Sequence, residues 1–297
     1  MALENEDVKT KKEFIIKENY TTSKKLLNDL LVARREKNYV FRGISRKVEY
    51  NPIIQRYFMN GKTHDLVKYE CQMLYDFYQK WNQKSFISSE NILELIANAQ
   101  HYGIPTRLVD WTRDPFVALY FAINNNASPE NDYYSLVYTT LDEHTVLDTL
   151  FMALTWEDLT KSPDILNNYQ RFLQTIGDRG NLKKIVNKRN KDLASINVKS
   201  GSHYNNNGLI FYNAPLSNDR ILAQKGLFSI PTSLEKGQAA EEIITNTKIT
   251  KIKLTKDDRN ELLEYLENMN YSREYLFPDL QNLCRYIVDK TIKLIEN

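Results

Sequence analysis

Residues 100–122 read QHYGIPTRLVDWTRDPFVALYFA, and this stretch decides the fold. Gly103 is typical of a position just after a helix end, and the following IPTRLVDWT predicts a loop that runs into a short strand. Asp114 and Pro115 predict the N-cap and the first turn of another helix. Because that helix, PFVALYFAIN, is almost wholly apolar, we expect it to lie at the centre of the protein.

Apolar patterns on both sides of this stretch predict one α+β domain. Strands are predicted at 39–41, 133–140, 209–213, from 226 onward and at 243–254, and helices at 21–36, 64–81, 90–103, 256–269 and from 278 onward. We therefore predict a small mixed or split β-sheet flanked by helices, with a helical insertion at about 145–205. An N-terminal helical segment (1–34) would precede the domain (35–297). In the last helix we expect an inward-facing stripe of Leu280, Leu283, Ile287, Val288 and Leu294.

The charge balance limits the possible functions. The chain has 40 Lys+Arg against 38 Asp+Glu, a net charge of +2, which argues against a protein whose main work is to neutralise phosphates over a wide surface. A basic run at 183–191 could contact nucleic acid, but the solvated face of a helix is the simpler reading.

Compartment signals favour a cytoplasmic protein. The charged start gives no sign of a signal peptide, and no apolar run approaches the length of a membrane span. Cys71 and Cys284 lie in apolar, helix-like stretches and are expected to be buried thiols. No cysteine and histidine cluster has the spacing of a zinc site, so no metal is expected.

The densest group of polar side chains is His101, Tyr102, Arg107 and Asp110, arranged around a turn. Such a loop can present several side chains to one cleft. A structural alternative is a buried ion pair between Arg107 and Asp110, with His101 capping its own helix. Spacing alone favours the structural alternative.

Arg42 and Gln224 are further candidates. Arg42 ends the aromatic strand YVF, and its planar guanidinium suits a phosphate or a carboxylate. The next residue, Gly43, allows a ligand or another backbone to approach closely. Gln224 could read a ribose or an amide. The alternatives are a surface salt bridge for Arg42 and a surface turn for Gln224.

Motifs of common enzyme classes are missing from the sequence: GxxxxGK[ST], GxGxxG, HExxH and GxSxG. P-loop NTPase, Rossmann, zincin and α/β-hydrolase functions are therefore disfavoured.

Phe41-Arg42-Gly43 together with QHYGIPTRLVDWTRDPFVALYFA resembles the FRG-domain family of bacteria, their viruses and archaea. The segments AQKGLF (223–228) and LFPDL (276–280) and the residue Glu70 extend the resemblance over roughly 35–290. Because such domains occur beside toxin-like and phage-defence genes, the resemblance implies an effector of one of these kinds. A sensor or binding module without chemistry, for a phage component or a nucleotide, is the alternative.

The order of elements is also similar to that of ADP-ribosyltransferases, which implies NAD as the substrate and either ADP-ribosyl transfer or NAD cleavage. Under this resemblance Arg42 matches the NAD-binding residue on the first strand. The stretch from Asp110 to Thr112 matches the second strand, and Gln224, or less well Glu242, matches the third position. The implied residues are these: catalytic His101, Asp110 and Gln224; cofactor-binding Arg42, Gly43, Tyr102, Arg107 and Trp111.

Such a site divides its work among these side chains. A cation such as Arg42 would hold the pyrophosphate, and Tyr102 or Trp111 would pack against the nicotinamide. Asp110 and Gln224 would hold the ribose while positive charge develops on it. His101 would act as an acid or base, or would orient Asp110.

Overall fold

The computed structural model describes residues 22–36, 38–45, 52–54, 66–84, 92–124, 134–141, 145–147, 209–213, 219–231, 250–254 and 256–296. The strands are β1 (Tyr39–Ile44), β2 (Val109–Thr112), β3 (Tyr134–Thr140), β4 (Thr145–Leu147), β5 (Leu209–Tyr212), β6 (Gly226–Pro231) and β7 (Thr250–Leu254). The helices are α1 (Ser23–Ala33), α2 (Leu66–Lys84), α3 (Ile92–His101), α4 (Pro115–Ile123), α5 (Asp219–Ala223), α6 (Lys256–Asn268), α7 (Arg273–Leu276) and α8 (Leu280–Glu296).

The strands form one seven-stranded sheet in the order β4-β5-β6-β2-β1-β3-β7. Only β4 and β5 run parallel, and every other neighbouring pair is antiparallel. The sheet is therefore mixed, and the α+β prediction is confirmed. The predicted helical insertion is wrong at its start, because Thr145–Leu147, rich in β-branched residues, joins the sheet as β4. Residues 148–205 lie outside the described part of the chain.

Side chains from the two faces of the sheet form two apolar clusters. On one face, Phe41 and Tyr138 pack with α1, α6 and nearly all of α4. On the other face, Val40 and Trp111 pack with Phe211 and Leu227. The central position predicted for α4 is confirmed, and it follows from a helix that is apolar on every side.

Helix α4 lies so close to β1 that only glycine fits at position 43. A Cβ atom on Gly43 would overlap the carbonyl oxygen of Ala118 and would lie 2.5 Å from the amide nitrogen of Ala122. The sequence left open whether this glycine admits a ligand or another backbone; the structure places a helix backbone against it.

A buried carboxylate holds the N-terminus of α4. Asp114 is the predicted N-cap, and its Oδ1 accepts the amide of Phe116 at 3.1 Å. Its Oδ2 accepts the ammonium of Lys225 at 2.8 Å and the hydroxyl of Tyr271 at 2.9 Å, and lies 3.3 Å from a guanidinium nitrogen of Arg34. Burial and the neighbouring carboxylate raise the pKa of Tyr271, so the phenol remains a hydrogen-bond donor. Asp114 thus connects α4 to α1, to the turn before β6 and to the segment before α7.

The end of α3 also follows its local signal. Gly103 has a left-handed φ of 95°, and its amide donates to the carbonyl of Gln100. The amide of Ile104 donates to the carbonyl of Ala99, which completes a Schellman motif. The predicted role of Gly103 is confirmed, and the loop that carries Thr106 and Arg107 leaves the helix in a fixed direction.

Two sequence predictions about the last helix are wrong. Ile287 and Val288 of the predicted inward stripe are 53% and 55% exposed, and Cys284 is exposed, whereas Cys71 is buried as predicted. Among the described elements, α8 packs chiefly on α7 rather than on the sheet. Amphipathic spacing therefore predicted the apolar face of α8 but not its surroundings.

The contact at Gly43 leads to a stability prediction. Gly43→Ala forces backbone against backbone, so we expect it to lower the free energy of unfolding by more than about 3 kcal/mol or to prevent folding. Gly226→Ala is the matched control, because the nearest atom to its Cβ would be the flexible Cγ2 of Ile221 at 3.4 Å. Urea unfolding of both variants measures the difference. Equal stabilities would contradict the tight β1–α4 contact.

Candidate functional site

The sheet opens between its two central strands. β1 pairs with β3 along its whole length, but it pairs with β2 only through Phe41 and Thr112. An antiparallel ladder would next join Gly43 to Asp110. Instead, Nη1 of Arg42 donates to the backbone carbonyl oxygen of Asp110 at 2.5 Å. The Arg42 side chain thus bridges the two strands where their own hydrogen bonds stop.

A cavity of about 320 Å³ lies at this opening. Its walls come chiefly from β1, β2, β6, α3, α4 and α5. Six of the eight residues predicted for the site line it: Arg42, Gly43, His101, Asp110, Trp111 and Gln224. The aromatic side chains of Phe41, Phe121 and Phe228 add an apolar surface. An apolar cavity with a few convergent polar groups is the usual form of a small-molecule site.

Arg107 lies outside the cavity lining. Its Nη2 lies 2.6 Å from Oε2 of Glu70, and its Nε donates to the same oxygen at 2.7 Å. The backbone amide of Arg107 donates to Oε1 of Glu70 at 2.8 Å, and both side chains are almost fully buried. The structural alternative predicted from the sequence, a buried Arg107–Asp110 ion pair, is therefore wrong: Arg107 is in a buried ion pair, but its partner is not Asp110. The pair is Arg107–Glu70, and it joins α2 to the loop before β2.

The two aromatic candidates differ. Tyr102 is 63% exposed and lies outside the cavity lining, with its ring edge-on to His101 at 5.0 Å. Trp111 lines the cavity but is buried, and its indole N–H donates to Ser229 at 2.9 Å. Only Trp111 is therefore placed to contact a ligand in the cavity.

Asp110 combines exposure with a fixed orientation. Its side chain is 58% exposed, and its Oδ1 accepts the amide Nε2 of Gln100 at 2.9 Å. The hydroxyl of Thr106 donates to Oε1 of Gln100, while the amide of Leu108 donates to the same hydroxyl oxygen at 3.2 Å. Because a carboxylate can only accept, this chain of donors determines which way the Gln100 amide points. The carboxylate is thus held in the cavity while remaining accessible to water.

Gln224 is held from two sides. Its Nε2 donates to the backbone carbonyl of Leu276 at 2.9 Å, and its own backbone carbonyl accepts the hydroxyl of Thr112 at 2.6 Å. The predicted surface turn is therefore tied to β2 and α7, with the Gln224 side chain at the cavity wall. Glu242, the weaker candidate for this position, lies outside the described residues.

His101 reaches the cavity from the end of α3. Burial lowers its pKa, and the positive charge of Arg220 lowers it further, whereas Asp279 acts in the opposite direction. Its imidazole is therefore neutral at pH 7 and available as a proton acceptor.

Sequence reasoning missed Arg220 and Gln100. Both line the cavity; Gln100 belongs to the 100–122 stretch, and Arg220 lies in α5, shortly before Gln224. Arg220 precedes Gln224 by four residues, a spacing that places two side chains on the same side of a helix. That spacing was the available signal for Arg220. The role of Gln100 depends on the contact with Asp110, which the sequence does not reveal.

Residues 37–131 match the family model of the FRG domain. The match covers the Phe-Arg-Gly strand, the 100–122 stretch and α4, and it ends before Arg220 and Gln224. No curated protein and no solved structure matches the chain. The resemblance to ADP-ribosyltransferases stays a prediction.

Among the described residues, no helix combines the length and the apolar character that a membrane span requires. Likewise, none of their His, Cys, Asp and Glu side chains cluster as a metal site would require.

Different effects are expected from the two acidic residues of this region. Glu70→Gln leaves the Arg107 guanidinium buried without its counterion, so we expect a loss of about 3 kcal/mol in the free energy of unfolding. Asp110→Asn changes an exposed group and should stay within about 0.5 kcal/mol of the parent. Chemical denaturation checks both values. A large loss for Asp110→Asn would assign this residue to the scaffold.

The surroundings of His101 predict its titration. We expect a pKa below the ordinary 6.5, and Arg220→Gln should move it upward. Because the pKa is lowered in the folded protein, the unfolded chain binds the proton more tightly. The stabilisation from neutral His101 is therefore complete above pH 6.5 and is lost as pH falls from 6.5 through the folded pKa. NMR titration of the imidazole, assigned with His101→Gln, measures the shift. A pKa above 6.5 would contradict the placement beside Arg220.

Proposed function

We propose that this protein, in which residues 37–131 match the family model of the FRG domain, binds NAD in the cavity between β1 and β2 and cleaves the nicotinamide–ribose bond. The observation that carries the proposal is the position of Asp110. Its carboxylate is exposed at the cavity, oriented by Gln100 and flanked by the guanidinium of Arg42, whose Nη1 lies 3.9 Å from Oδ2. An oriented anion beside a cation suits a substrate that carries both developing positive charge and a diphosphate.

The charge of the cavity supports an anionic ligand. Two arginines, Arg42 and Arg220, line it against one carboxylate, Asp110, which gives a net charge of +1 with His101 neutral. Apolar walls that include Phe121 and Trp111 lower the local dielectric and strengthen the attraction. A flat, partly apolar ring next to a phosphate matches this combination of surfaces.

The chemistry needs few groups. When the bond between the ribose C1′ and the nicotinamide nitrogen breaks, its electron pair leaves with neutral nicotinamide and positive charge remains on the sugar. Asp110 stabilises that charge, as a carboxylate does in glycoside cleavage. Water or a nucleophile of a target then attacks C1′ and gives its proton to neutral His101. The products are nicotinamide and ADP-ribose, or nicotinamide and an ADP-ribosylated target, with one proton released.

The split of the sheet supports an ADP-ribosyltransferase-like arrangement within this proposal. Arg42 lies on a central strand, β2 lies beside it, and α4 packs on both. Gln224 comes two residues before β6, the other neighbour of β2. The biological role that fits is that of a phage-defence or toxin effector that consumes NAD.

A second candidate is a sensor that binds a nucleotide without turnover. Arg42 and Gln224 both already hold backbone carbonyls, those of Asp110 and Leu276. A ligand that takes over these donors would shift the strands or α7 and so change the shape of the protein. Ligand binding without nicotinamide release would favour this candidate.

Incubation of the protein with NAD, alone and with cell extract as a source of targets, tests the proposal. We expect nicotinamide release, measured by chromatography. Asp110→Asn should reduce the release about a hundredfold or more, because it removes the charge that stabilises the transition state. Arg42→Gln should weaken it by raising KM.

Two matched variants are the controls. Asp76→Asn and Arg285→Gln change exposed residues outside the cavity lining and should keep the full rate. If no condition releases nicotinamide although the protein is folded, NAD cleavage is rejected. Thermal stabilisation by NAD in that case would identify the sensor.

A further inference from the structure

We infer that Arg220 is a second anion-binding residue of the cavity, which takes the diphosphate of a nucleotide ligand and is held for this purpose by the segment that leads into α8. The inference rests on the proposed function in one respect only, namely that the ligand of the cavity is a nucleotide. Arg220 lies outside the region that matches the family model, because that region ends at residue 131.

The position of Arg220 is unusual for its helix. Helix α5 has five residues and none of them is buried, yet Arg220 and Ile221 turn toward the cavity and line it. The guanidinium carbon of Arg220 lies 4.4 Å from the centre of the Phe277 ring. Such a contact holds the guanidinium by one surface while its N–H groups point outward from the edge of the plane. An acceptor that lies in that plane can then be bound by two parallel hydrogen bonds.

The segment around α7 holds this part of the cavity wall in place. Phe277 supports Arg220, and the neighbouring carbonyl of Leu276 accepts the amide of Gln224. Thr112 of β2 bonds the backbone of Gln224 from the other side. Helix α5, in which no residue is buried, is therefore held in place by the Arg220 side chain and by Gln224, which directly follows the helix. This supplies the preorganisation that a binding residue needs.

Two carboxylates balance the charge of Arg220. Asp110 lies on its cavity side, and Asp279 comes at the start of α8. Burial would raise the pKa of Asp279, but hydrogen bonds from the side chain and the backbone of Asn282 and the charges of Arg220 and His101 lower it. Asp279 therefore stays ionised and partly compensates the charge of Arg220 from outside the cavity lining. Burial lowers the pKa of Arg220, whereas both carboxylates raise it, so the group keeps its charge while partly desolvated.

Arg42 and Arg220 therefore have different tasks. The Arg42 side chain is only 12% exposed and bridges β1 and β2. Its position is set by the sheet. Arg220 lines the cavity from α5 and is held by the aromatic ring of Phe277. A diphosphate in the cavity could therefore be contacted by two guanidinium groups that come from different elements.

Calorimetric titration of the full chain with ADP, inorganic pyrophosphate and adenosine tests this assignment. We expect ADP and pyrophosphate to bind and Arg220→Gln to weaken both at least about tenfold, the range for a lost charge-assisted contact. Arg220→Lys keeps the positive charge but loses the planar guanidinium, so its affinities should lie between those of the parent and those of Arg220→Gln. Any affinity for adenosine should be equal in all variants, because adenosine carries no phosphate.

Arg285→Gln is the matched control, since it removes an exposed arginine from α8 and should leave ADP binding within about twofold. Thermal denaturation verifies that each variant is folded. Unchanged ADP binding in folded Arg220→Gln, or no binding of ADP and pyrophosphate by the parent, would overturn the inference. An equal loss of affinity for adenosine and for ADP in Arg220→Gln would overturn it too, because the effect would then be structural.

The two proposals fail separately. Arg220-dependent ADP binding without nicotinamide release would support the anion site and reject the cleavage. Nicotinamide release with an unchanged KM in Arg220→Gln would support the cleavage and reject the anion site.

Discussion

The close packing of α4 on β1 is the constraint on which the rest of the structure depends. Because no side chain fits at Gly43, the helix backbone lies directly against the strand, and Ala118 and Phe121 of the helix become part of the cavity wall. Alternation along the strand sends Phe41 toward α4 and its neighbour Arg42 toward the other face. The two neighbouring residues thus act together. Gly43 allows the close approach of α4, and Arg42 bridges β1 and β2 where their backbone pairing stops.

The 100–122 stretch mixes scaffold and site residues in alternation. Arg107 and Asp114 are buried, and each is paired with charged groups from elements distant in sequence. His101 precedes Arg107, Asp110 lies between Arg107 and Asp114, and both His101 and Asp110 line the cavity. Buried ion pairs such as Arg107–Glu70 contribute little net stability compared with apolar packing. Their contribution is to orientation, because each pair fixes the loop or the helix end that carries residues of the cavity wall.

Local signals made parts of this arrangement predictable. The end of α3 at Gly103 and the start of α4 at Asp114 depend on hydrogen bonds within a few residues, so the sequence alone indicates them. The partner of Arg107 lies 37 residues away, and Arg220 meets Asp110 only because β6 pairs with β2. Long-range pairing of this kind leaves no periodic pattern in the sequence. For the same reason the apolar face of α8 was predictable, whereas the exposure of Ile287 and Val288 was not.

The placement of Asp110 among two arginines would resolve an electrostatic conflict in the proposed reaction. A carboxylate that stabilises a sugar cation also repels the diphosphate attached to the same sugar. Under the proposed function, Arg42 and Arg220 would hold the diphosphate while the carboxylate of Asp110 stabilises the carbon that becomes positive. Since the whole chain carries a net charge of only +2, long-range attraction contributes little. Under the proposed function, selectivity for an anionic nucleotide must therefore come from these few side chains, whose charges act at short range beside the apolar wall of the cavity.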